Sequence, residues 1–262
     1  MMRSRDCATT DVETGRPLLY LSTDAHALRR YVDDSFKPAW KMANGIRMWC
    51  VHKDTGDIVH LGGEYTWGDC RVVAAAFERI VADLIPTGDA APQTVFITDG
   101  MPWIRDHVVP VLPEDTVVIL DFFHALEHLA EHVRVRFGAK SKAGKAWYRK
   151  AKAALLGKRD YRRRKQTKRK GHKKGARPAR RKRTIRLSEH PHGAGEAFAR
   201  SLLDEGDLGA ANDSHDALVH YIGVNADRMD YPRYRYRGIQ IGSGAMESLH
   251  RTASQMRLKL AG

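Results

Sequence analysis

The chain has 262 residues, 42% of them hydrophobic, which is enough to bury a sizeable core, while no apolar run approaches the ~18 residues of a membrane-spanning helix. Its cysteines, Cys7, Cys50 and Cys70, are odd in number and lack C-x-x-C spacing, which argues against a disulfide framework or a structural zinc site and favours a reducing cytoplasm. The formal net charge is +14, and the first residues lack the apolar stretch of a secretory signal.

Apolar patterns along the chain predict alternating groups of strands and helices. Strands are predicted at residues 18–23, 45–52, 57–61, 94–98 and 116–120, and helices at 70–84, 102–111, 122–137, 147–156, 195–203 and from about 244 onward. The first three strands follow one another directly and are expected to be antiparallel. The runs 94–98 and 116–120 are continuously apolar, which is typical of strands covered on both faces in a parallel sheet. A helix between them completes a βαβ unit.

Aspartates follow three of the predicted strands: Asp24, Asp99 and Asp121. Ligands of open α/β sheets gather at the carboxyl ends of the strands. A lone aspartate at such a position is more often the cap of the next helix, because Asp is a favoured N-cap residue. The individual residues therefore leave both interpretations open.

Three antiparallel strands, a helix and two further strands form the element order of a ribonuclease H-like fold, an α/β architecture with a mixed five-stranded sheet flanked by helices. In that fold Asp24, Asp99 and an acid on a later helix, Glu247, would converge. Converging carboxylates repel one another unless cations neutralise them. Two Mg²⁺ or Mn²⁺ ions suit carboxylate ligands and catalyse phosphodiester chemistry. The fold therefore predicts a two-metal site.

Four motifs in the same order carry a family resemblance: YLSTD at 20–24, FITDGMPWI at 96–104, ILDFFHALEHL at 119–129 and YRYRGIQIGSGAMES at 234–248. NADRMDYPRY before the last motif and QMRLKLAG after it also match. The chain resembles bacterial insertion-sequence transposases of the Kra type, distant relatives of the Mutator-type DDE transposases. The resemblance covers most of residues 18–137 and 221–262.

The resemblance implies metal-dependent DNA strand cleavage and strand transfer, with transposon ends and target DNA as partners. Asp24, Asp99 and Glu247 would form the catalytic triad, and Asp121 with His124 would be an auxiliary D-x-x-H pair. Transposases commonly act as dimers, although no heptad seam is visible here. A nucleoid-associated protein of the cytoplasm, with no membrane association, is expected.

The chain also departs from the resemblance. Ala25 and His26 follow the first aspartate, where many relatives have a glycine. Relatives have a long region before the first catalytic strand and a helical portion after the last motif, so a truncated and inactive copy is one interpretation. The alternative function is a ribonuclease H-like remnant that binds nucleic acid without cutting it.

The predicted organisation is a disordered remnant at residues 1–17, the first catalytic part at 18–137, a helical insertion at 138–220 and the final catalytic part at 221–262. Within the insertion, residues 158–186 contain 17 Lys or Arg and one acid, a net charge of +16, so the rest of the chain has a net charge of −2. Such a segment cannot bury its backbone, and its charge favours a polyanion. Its predicted DNA-binding residues are Arg162, Arg163, Arg164, Lys165, Lys168, Arg169, Lys170, Lys173, Lys174, Arg180, Arg181, Lys182 and Arg183.

Two other motifs have weaker specificity. His124, Glu127 and His128 have the H-x-x-E-H spacing of inverzincin peptidases, but His124, His128 and His132 also form a polar stripe at i, i+4, i+8 spacing. The GSG at 242–244 lacks the remaining residues of a phosphate-binding loop. Ser243 is a better candidate for the N-cap of the last helix.

Overall fold

The structure, a computed structural model, describes residues 7–31, 38–157, Leu187, 190–205 and 211–244. Within these residues the strands are β1 Leu18–Tyr31, β2 Pro38–Val51, β3 Ile58–Trp67, β4 Gln93–Thr98 and β5 Val117–Leu120. The helices are α1 Cys70–Leu84, α2 Phe122–Phe137, α3 Lys142–Leu155, α4 Gly193–Leu203, α5 Asn212–Asn225 and α6 Tyr231–Tyr236. Shorter helical turns occur at Gly88–Ala90, Ile104–Val108, Val109–Val111 and Ala226–Arg228.

The five strands form one mixed sheet in the order β3-β2-β1-β4-β5. β1, β2 and β3 are antiparallel neighbours, whereas β4 runs parallel to β1 and β5 runs parallel to β4. This confirms the predicted α/β class with a five-stranded mixed sheet flanked by helices. The strand order is consistent with the ribonuclease H-like arrangement that the sequence predicts.

β1 is longer than predicted, and Asp24 does not end it. The parallel pairing of β1 with β4 ends at Ser22 and Ile97, but the antiparallel pairing with β2 continues from Asp24 opposite Gly45 to Tyr31. The end of β1 contains Arg29 and Arg30, and such a charged sequence is typical of a loop. An antiparallel ribbon satisfies its backbone hydrogen bonds without covering both faces, which explains why this polar sequence is nevertheless a strand.

One face of the sheet is covered by α1 and by the turns between β4 and β5. Asp69 caps α1 by accepting hydrogen bonds from the N–H groups of Arg71 and Val72. The apolar stripe of α1, which includes the fully buried Phe77, packs on β4, where the rings of Phe77 and Phe96 meet edge to face at 5.5 Å. Burying one such side chain stabilises the fold by roughly 1.5–3 kcal/mol.

The described residues divide into two compact units. One contains the sheet and comprises the residues up to Ala125 together with those from Tyr234 onward, and the other comprises Leu126–Arg233. The second unit is helical and includes α5, which the sequence analysis did not predict. The predicted domain boundaries at 137/138 and 220/221 remain predictions. None of the helices in the described ranges is both long enough and apolar enough to cross a membrane.

Candidate active site

Three aspartates lie along the carboxyl edge of the parallel strands. Asp24 follows the last β1 residue that pairs with β4 by only two positions, Asp99 directly follows β4, and Asp121 directly follows β5. The N–H of Asp121 donates to the carbonyl of Thr98 at 2.7 Å, which fixes the ends of β4 and β5 beside one another. The local sequences explain the positions of Asp99 and Asp121, since each follows an apolar run that can be buried on both faces.

The electrostatic environment of Asp99 indicates that these carboxylates share one region. Burial raises the pKa of the Asp99 carboxyl, and the negative charges of Asp24 and Asp121 raise it further. The N–H of Met101, which donates to Asp99 Oδ1 at 2.9 Å, and the positive charge of His124 act in the opposite direction. The net effect is a raised pKa, so Asp99 is a carboxylate whose charge is poorly solvated and lies near other negative charges.

Both carboxylate oxygens of Asp121 accept hydrogen bonds from the protein. Its Oδ1 accepts hydrogen bonds from the backbone N–H groups of Phe123 at 2.7 Å and His124 at 3.4 Å, which caps α2. Its Oδ2 accepts the N–H of Ser243 at 2.8 Å and also the hydroxyl hydrogen of the same residue. A carboxylate has about four acceptor sites. Asp121 therefore caps one helix and docks a distant segment, with little acceptor capacity left.

The segment that precedes Ser243 is attached at further points. The N–H of Phe122 donates to the carbonyl of Ile241 at 2.9 Å. The N–H of Gln240 donates to the hydroxyl of Tyr20 at 3.1 Å, and the indole N–H of Trp49 donates to the Gln240 side chain at 3.2 Å. Residues 240–243 therefore contact β1, β2 and the start of α2. We call residues 240–243 the docked segment.

A buried ion pair between Arg237 and Asp11 anchors the beginning of the YRYRGIQIGSGAMES motif, which also contains the docked segment. Arg237 donates to both carboxylate oxygens of Asp11, with Nε 3.1 Å from Oδ1. Burial acts to raise the pKa of the Asp11 carboxyl, but hydrogen bonds from Arg237, Glu13 and Thr14 hold that pKa below its usual value. Asp11 is fully buried. No sequence pattern marks Asp11 as a functional residue, and only the presence of Arg237 within the YRYRGIQIGSG motif points to this pair.

Gly242 packs closely against the ring of Phe123. A Cβ on Gly242 would lie 2.6 Å from two ring carbons of Phe123, which is closer than such atoms approach one another. The glycine therefore lets the docked segment pass directly against the Phe123 ring. This contact supplies a physical reason for the G-S-G pattern that does not involve a phosphate-binding loop.

Of the other predicted site residues, the structure describes His124 but not Glu247 or the residues of the basic segment. His124 is the third residue of α2, one turn beyond Asp121, and its charge acts on Asp99. Glu247 and all predicted DNA-binding residues, from Arg162 to Arg183, lie outside the described residues. In the part of the chain that the structure describes, no three His, Cys, Asp or Glu side chains form a group that could hold a metal ion.

The described residues nevertheless supply two of the three predicted metal ligands, Asp24 and Asp99. Hard divalent cations bind carboxylate oxygens, and a nearby cation relieves the repulsion that raises the pKa of Asp99. Asp24 is only partly buried and its Oδ1 accepts the N–H of Ala25 at 2.7 Å. The chemistry of this pair fits Mg²⁺ or Mn²⁺.

The histidines of α2 do not form a solvated polar stripe. His128 stacks on Tyr221, with ring centroids 3.7 Å apart, and His132 is only 1% exposed. His132 lies near Trp147 and His215, and its Nδ1 is 3.1 Å from the hydroxyl of Ser214. His132 is therefore buried, because α3 and α5 pack over this side of α2. These contacts also give His128 and His132 packing roles inside the helical unit.

Comparison of the chain with protein-family models and with curated proteins finds no match. The resemblance to transposases therefore depends on the sequence motifs alone.

Proposed function

We propose that this protein is a DDE-type transposase of the Kra type, a polynucleotidyl transferase that cleaves DNA and transfers strands during transposition of an insertion sequence. The observation that carries the proposal is the environment of Asp99, a carboxylate of raised pKa that is close to Asp24 and Asp121. Carboxylates that repel one another at the end of parallel strands are destabilising in themselves. Their presence is understandable if they bind cations.

The docked segment supports the assignment of Glu247 as the third acid. Glu247 is four residues beyond Ser243, and Ser243 is bound to Asp121. Four residues span at most about 14 Å even when fully extended. That reach is long enough for Glu247 to join the other acids, so the short connection to Ser243 supports its assignment as the third ligand.

In this proposal Asp24, Asp99 and Glu247 hold two Mg²⁺ or Mn²⁺ ions, and Asp121 and His124 are auxiliary. When bound, such ions activate a water or a 3′-hydroxyl and stabilise the leaving oxygen. Asp99 contributes an anionic oxygen whose charge is poorly solvated by water. A protonated His124 would counteract the repulsion at Asp99, and the N–H of Met101 orients the Asp99 Oδ1.

The proposal includes the finer features of the fold and the partners. The sheet would be the core of a ribonuclease H-like catalytic domain, interrupted by a helical insertion at residues 138–220 that carries the basic segment. DNA would be the partner, as transposon ends and as target, and the active form would be a homodimer in the cytoplasm, associated with the nucleoid.

The test is divalent-ion-dependent cleavage of DNA by the purified chain. Asp24→Asn, Asp99→Asn and Glu247→Gln each remove an anionic ligand, so cleavage should fall by more than the roughly 100-fold typical of losing an outer contact to a metal site. DNA binding should be retained. Asp83→Asn, on the exposed side of α1, is the matched control and should cleave normally.

Two outcomes would contradict the proposal. Cleavage that survives in the Asp24→Asn and Asp99→Asn variants would place the chemistry elsewhere. A wild-type chain that binds DNA, shows no Mn²⁺ binding in calorimetry and never cleaves would be the non-catalytic nucleic-acid-binding remnant.

A further inference from the structure

Positive charge is not confined to the basic segment at 158–186. From Arg134 to Gly157 the chain contains eight Lys or Arg and no Asp or Glu. This stretch covers the end of α2 and all of α3, so it is an ordered helical part of the protein. The net charge of −2 outside the basic segment therefore conceals a basic surface that is balanced by acids elsewhere in the chain.

The two helices of this basic stretch approach closely at Gly144. A Cβ on Gly144 would lie 2.9 Å from Val133 Cγ1 and 2.9 Å from Phe137 Cβ, so the glycine allows the start of α3 to pack against the end of α2. A groove of about 520 Å³ follows the contact between the helices. Its walls are formed by Ala130, Val133 and Arg134 on one side and by Lys145, Tyr148 and Arg149 on the other.

The cationic groups in this groove are available to a ligand. Lys145 and Arg149 are exposed, and within the described ranges no carboxylate forms an ion pair with either of them. Arg134 pairs with Glu131, but both side chains are more than half exposed, and exposed pairs contribute only about 0–1 kcal/mol. A phosphate could replace that carboxylate at little cost.

Tyr148 adds an aromatic surface between the cations. Burial raises the pKa of its hydroxyl, so the ring remains neutral and can donate a hydrogen bond at physiological pH. Lys145 and Arg149 are one helical turn apart, with Cβ atoms about 6 Å from each other. The groove thus offers two cations in a row and a hydroxyl donor, above an apolar floor.

We propose that this groove binds the sugar-phosphate backbone of DNA and forms a second, ordered nucleic-acid surface. The identity of the polyanion as DNA rests on the proposed function. The site itself rests on the charge and shape of the groove. DNA is favoured over an acidic peptide because α3 leads directly, within three residues of its last residue Leu155, into the 17 cations of the basic segment. One long polyanion can engage both.

The test compares two full-length double variants. Lys145→Gln with Arg149→Gln removes the two exposed cations of the groove, and Lys150→Gln with Arg71→Gln removes one exposed Lys and one exposed Arg that do not line it. Binding of a short fluorescent duplex is followed by anisotropy from about 50 to 200 mM salt. Each lost phosphate contact lowers the slope of log affinity against log salt by ~0.9, so the groove variant should lose about 1.8.

The control variant should keep the wild-type slope, and glutamine preserves helix propensity in both. Equal slopes for the two variants would overturn the proposal. An acidic peptide that displaces the duplex from the wild-type chain but not from the groove variant would instead identify the groove as a peptide site and would also overturn it.

A second measurement uses only the wild-type protein. Lys145 and Lys150 lie on different sides of α3, so saturating duplex should protect Lys145 from chemical acetylation and leave Lys150 reactive, as read by mass spectrometry. Equal reactivity with and without DNA would refute the site. Both measurements are made without divalent ions, so an inactive catalytic site would not affect them, and a failed groove would leave the cleavage test intact.

Discussion

The carboxylate of Asp121 accepts the backbone N–H of Ser243 at 2.8 Å together with the Ser243 hydroxyl, across a sequence separation of 122 residues. The same carboxylate caps α2. One side chain therefore fixes the start of a helix and the approach of the chain towards Glu247. Changes at either partner should affect both the stability of the sheet unit and the geometry of the candidate site.

Asp121→Asn should destabilise the protein by about 1–3 kcal/mol, because an amide cannot accept all four donors and leaves buried N–H groups unsatisfied. Ser243→Ala removes the hydroxyl but keeps the N–H contact, so about 1 kcal/mol should be lost. Urea denaturation measures both. Asp69→Asn is the control, since Asp69 only caps α1 and asparagine is an equally good cap. If Asp121→Asn costs no more than this control, the contact with Ser243 is energetically irrelevant.

Asp99→Asn should make the protein more stable at neutral pH even as it abolishes cleavage. The native pKa of Asp99 lies above its usual value, so the folded state binds this proton more readily than the unfolded state, and stability falls as the pH rises through that interval. At pH values above the native pKa, the charged Asp99 carboxylate lowers the stability of the wild type, and asparagine removes this cost. The advantage should shrink towards pH ~4. Thermal unfolding at both pH values measures the effect, with Asp83→Asn as the control. If the melting temperature of Asp99→Asn at pH 7 is equal to or below that of the wild type, the assignment is wrong.

Arg237→Met should cost about 3–5 kcal/mol, because it leaves the fully buried Asp11 carboxylate without its cation. Asp11→Asn combined with Arg237→Gln should cost less than the single change, since no buried charge remains. Arg79→Met, which breaks the exposed pair with Glu64, should cost no more than about 1 kcal/mol. Similar losses at Arg237 and Arg79 in urea denaturation would show that burial does not strengthen the Asp11 pair.

The pKa of Asp11 predicts a related pH effect. Because this pKa is held below its usual value, the pair contributes stability above pH ~4 that is lost as the pH falls through the native pKa. The Arg237→Met variant should therefore show a weaker acid dependence than the wild type in the same denaturation measurements.

The helical unit should lose stability on mild acidification. Burial lowers the pKa of His132, and the neighbouring charges of His215 and Arg136 lower it further, opposed by Glu205. The unfolded state then binds a proton near pH ~6.5 that the folded state refuses, so stability declines below that pH. The slope should approach 1.4 kcal/mol per pH unit between the two pKa values.

His132→Phe should flatten this dependence, and His107→Gln, at an exposed site, should not. Hydrogen exchange of α3 and α5 amides between pH ~7.5 and ~5 would report the change locally. A wild-type protein whose helices are equally protected at both pH values, after correction for intrinsic exchange, would refute the assignment.

Deleting residues 158–186 should weaken binding to every DNA sequence about equally, because phosphate contacts carry no base information. If the segment engages half a dozen phosphates, the salt slope should fall by about 5. The sheet should stay folded, since the segment has almost no apolar residues to contribute to a core. If the deletion variant is unfolded, the segment has a structural role. If the salt slope of DNA binding is unchanged, DNA is bound on other surfaces, such as the groove between α2 and α3.

Local patterns determined those parts of the fold in which local physics is decisive. The 3.6-residue periodicity of α1 and α2 predicts both helices, with the bounds Cys70–Leu84 and Phe122–Phe137 that the structure has. The apolar runs of β4 and β5 predict buried parallel strands. Because Asp99 and Asp121 directly follow these runs in the sequence, the same pattern predicts that they lie at the ends of the two strands. α5 could not be read in this way, because its apolar residues are spread around the helix and do not form one apolar face.

The sequence by itself thus determined the α/β order, the positions of Asp99 and Asp121 after their strands and the concentration of cations at 158–186. Only the tertiary structure decided that β1 continues through Asp24, that His132 is buried, that Asp121 binds Ser243 and that Arg237 binds Asp11. Each of these depends on partners that are distant in the chain, such as the 226 positions between Asp11 and Arg237. Hydrogen bonds and burial act between neighbours in space, and a sequence pattern records only neighbours along the chain.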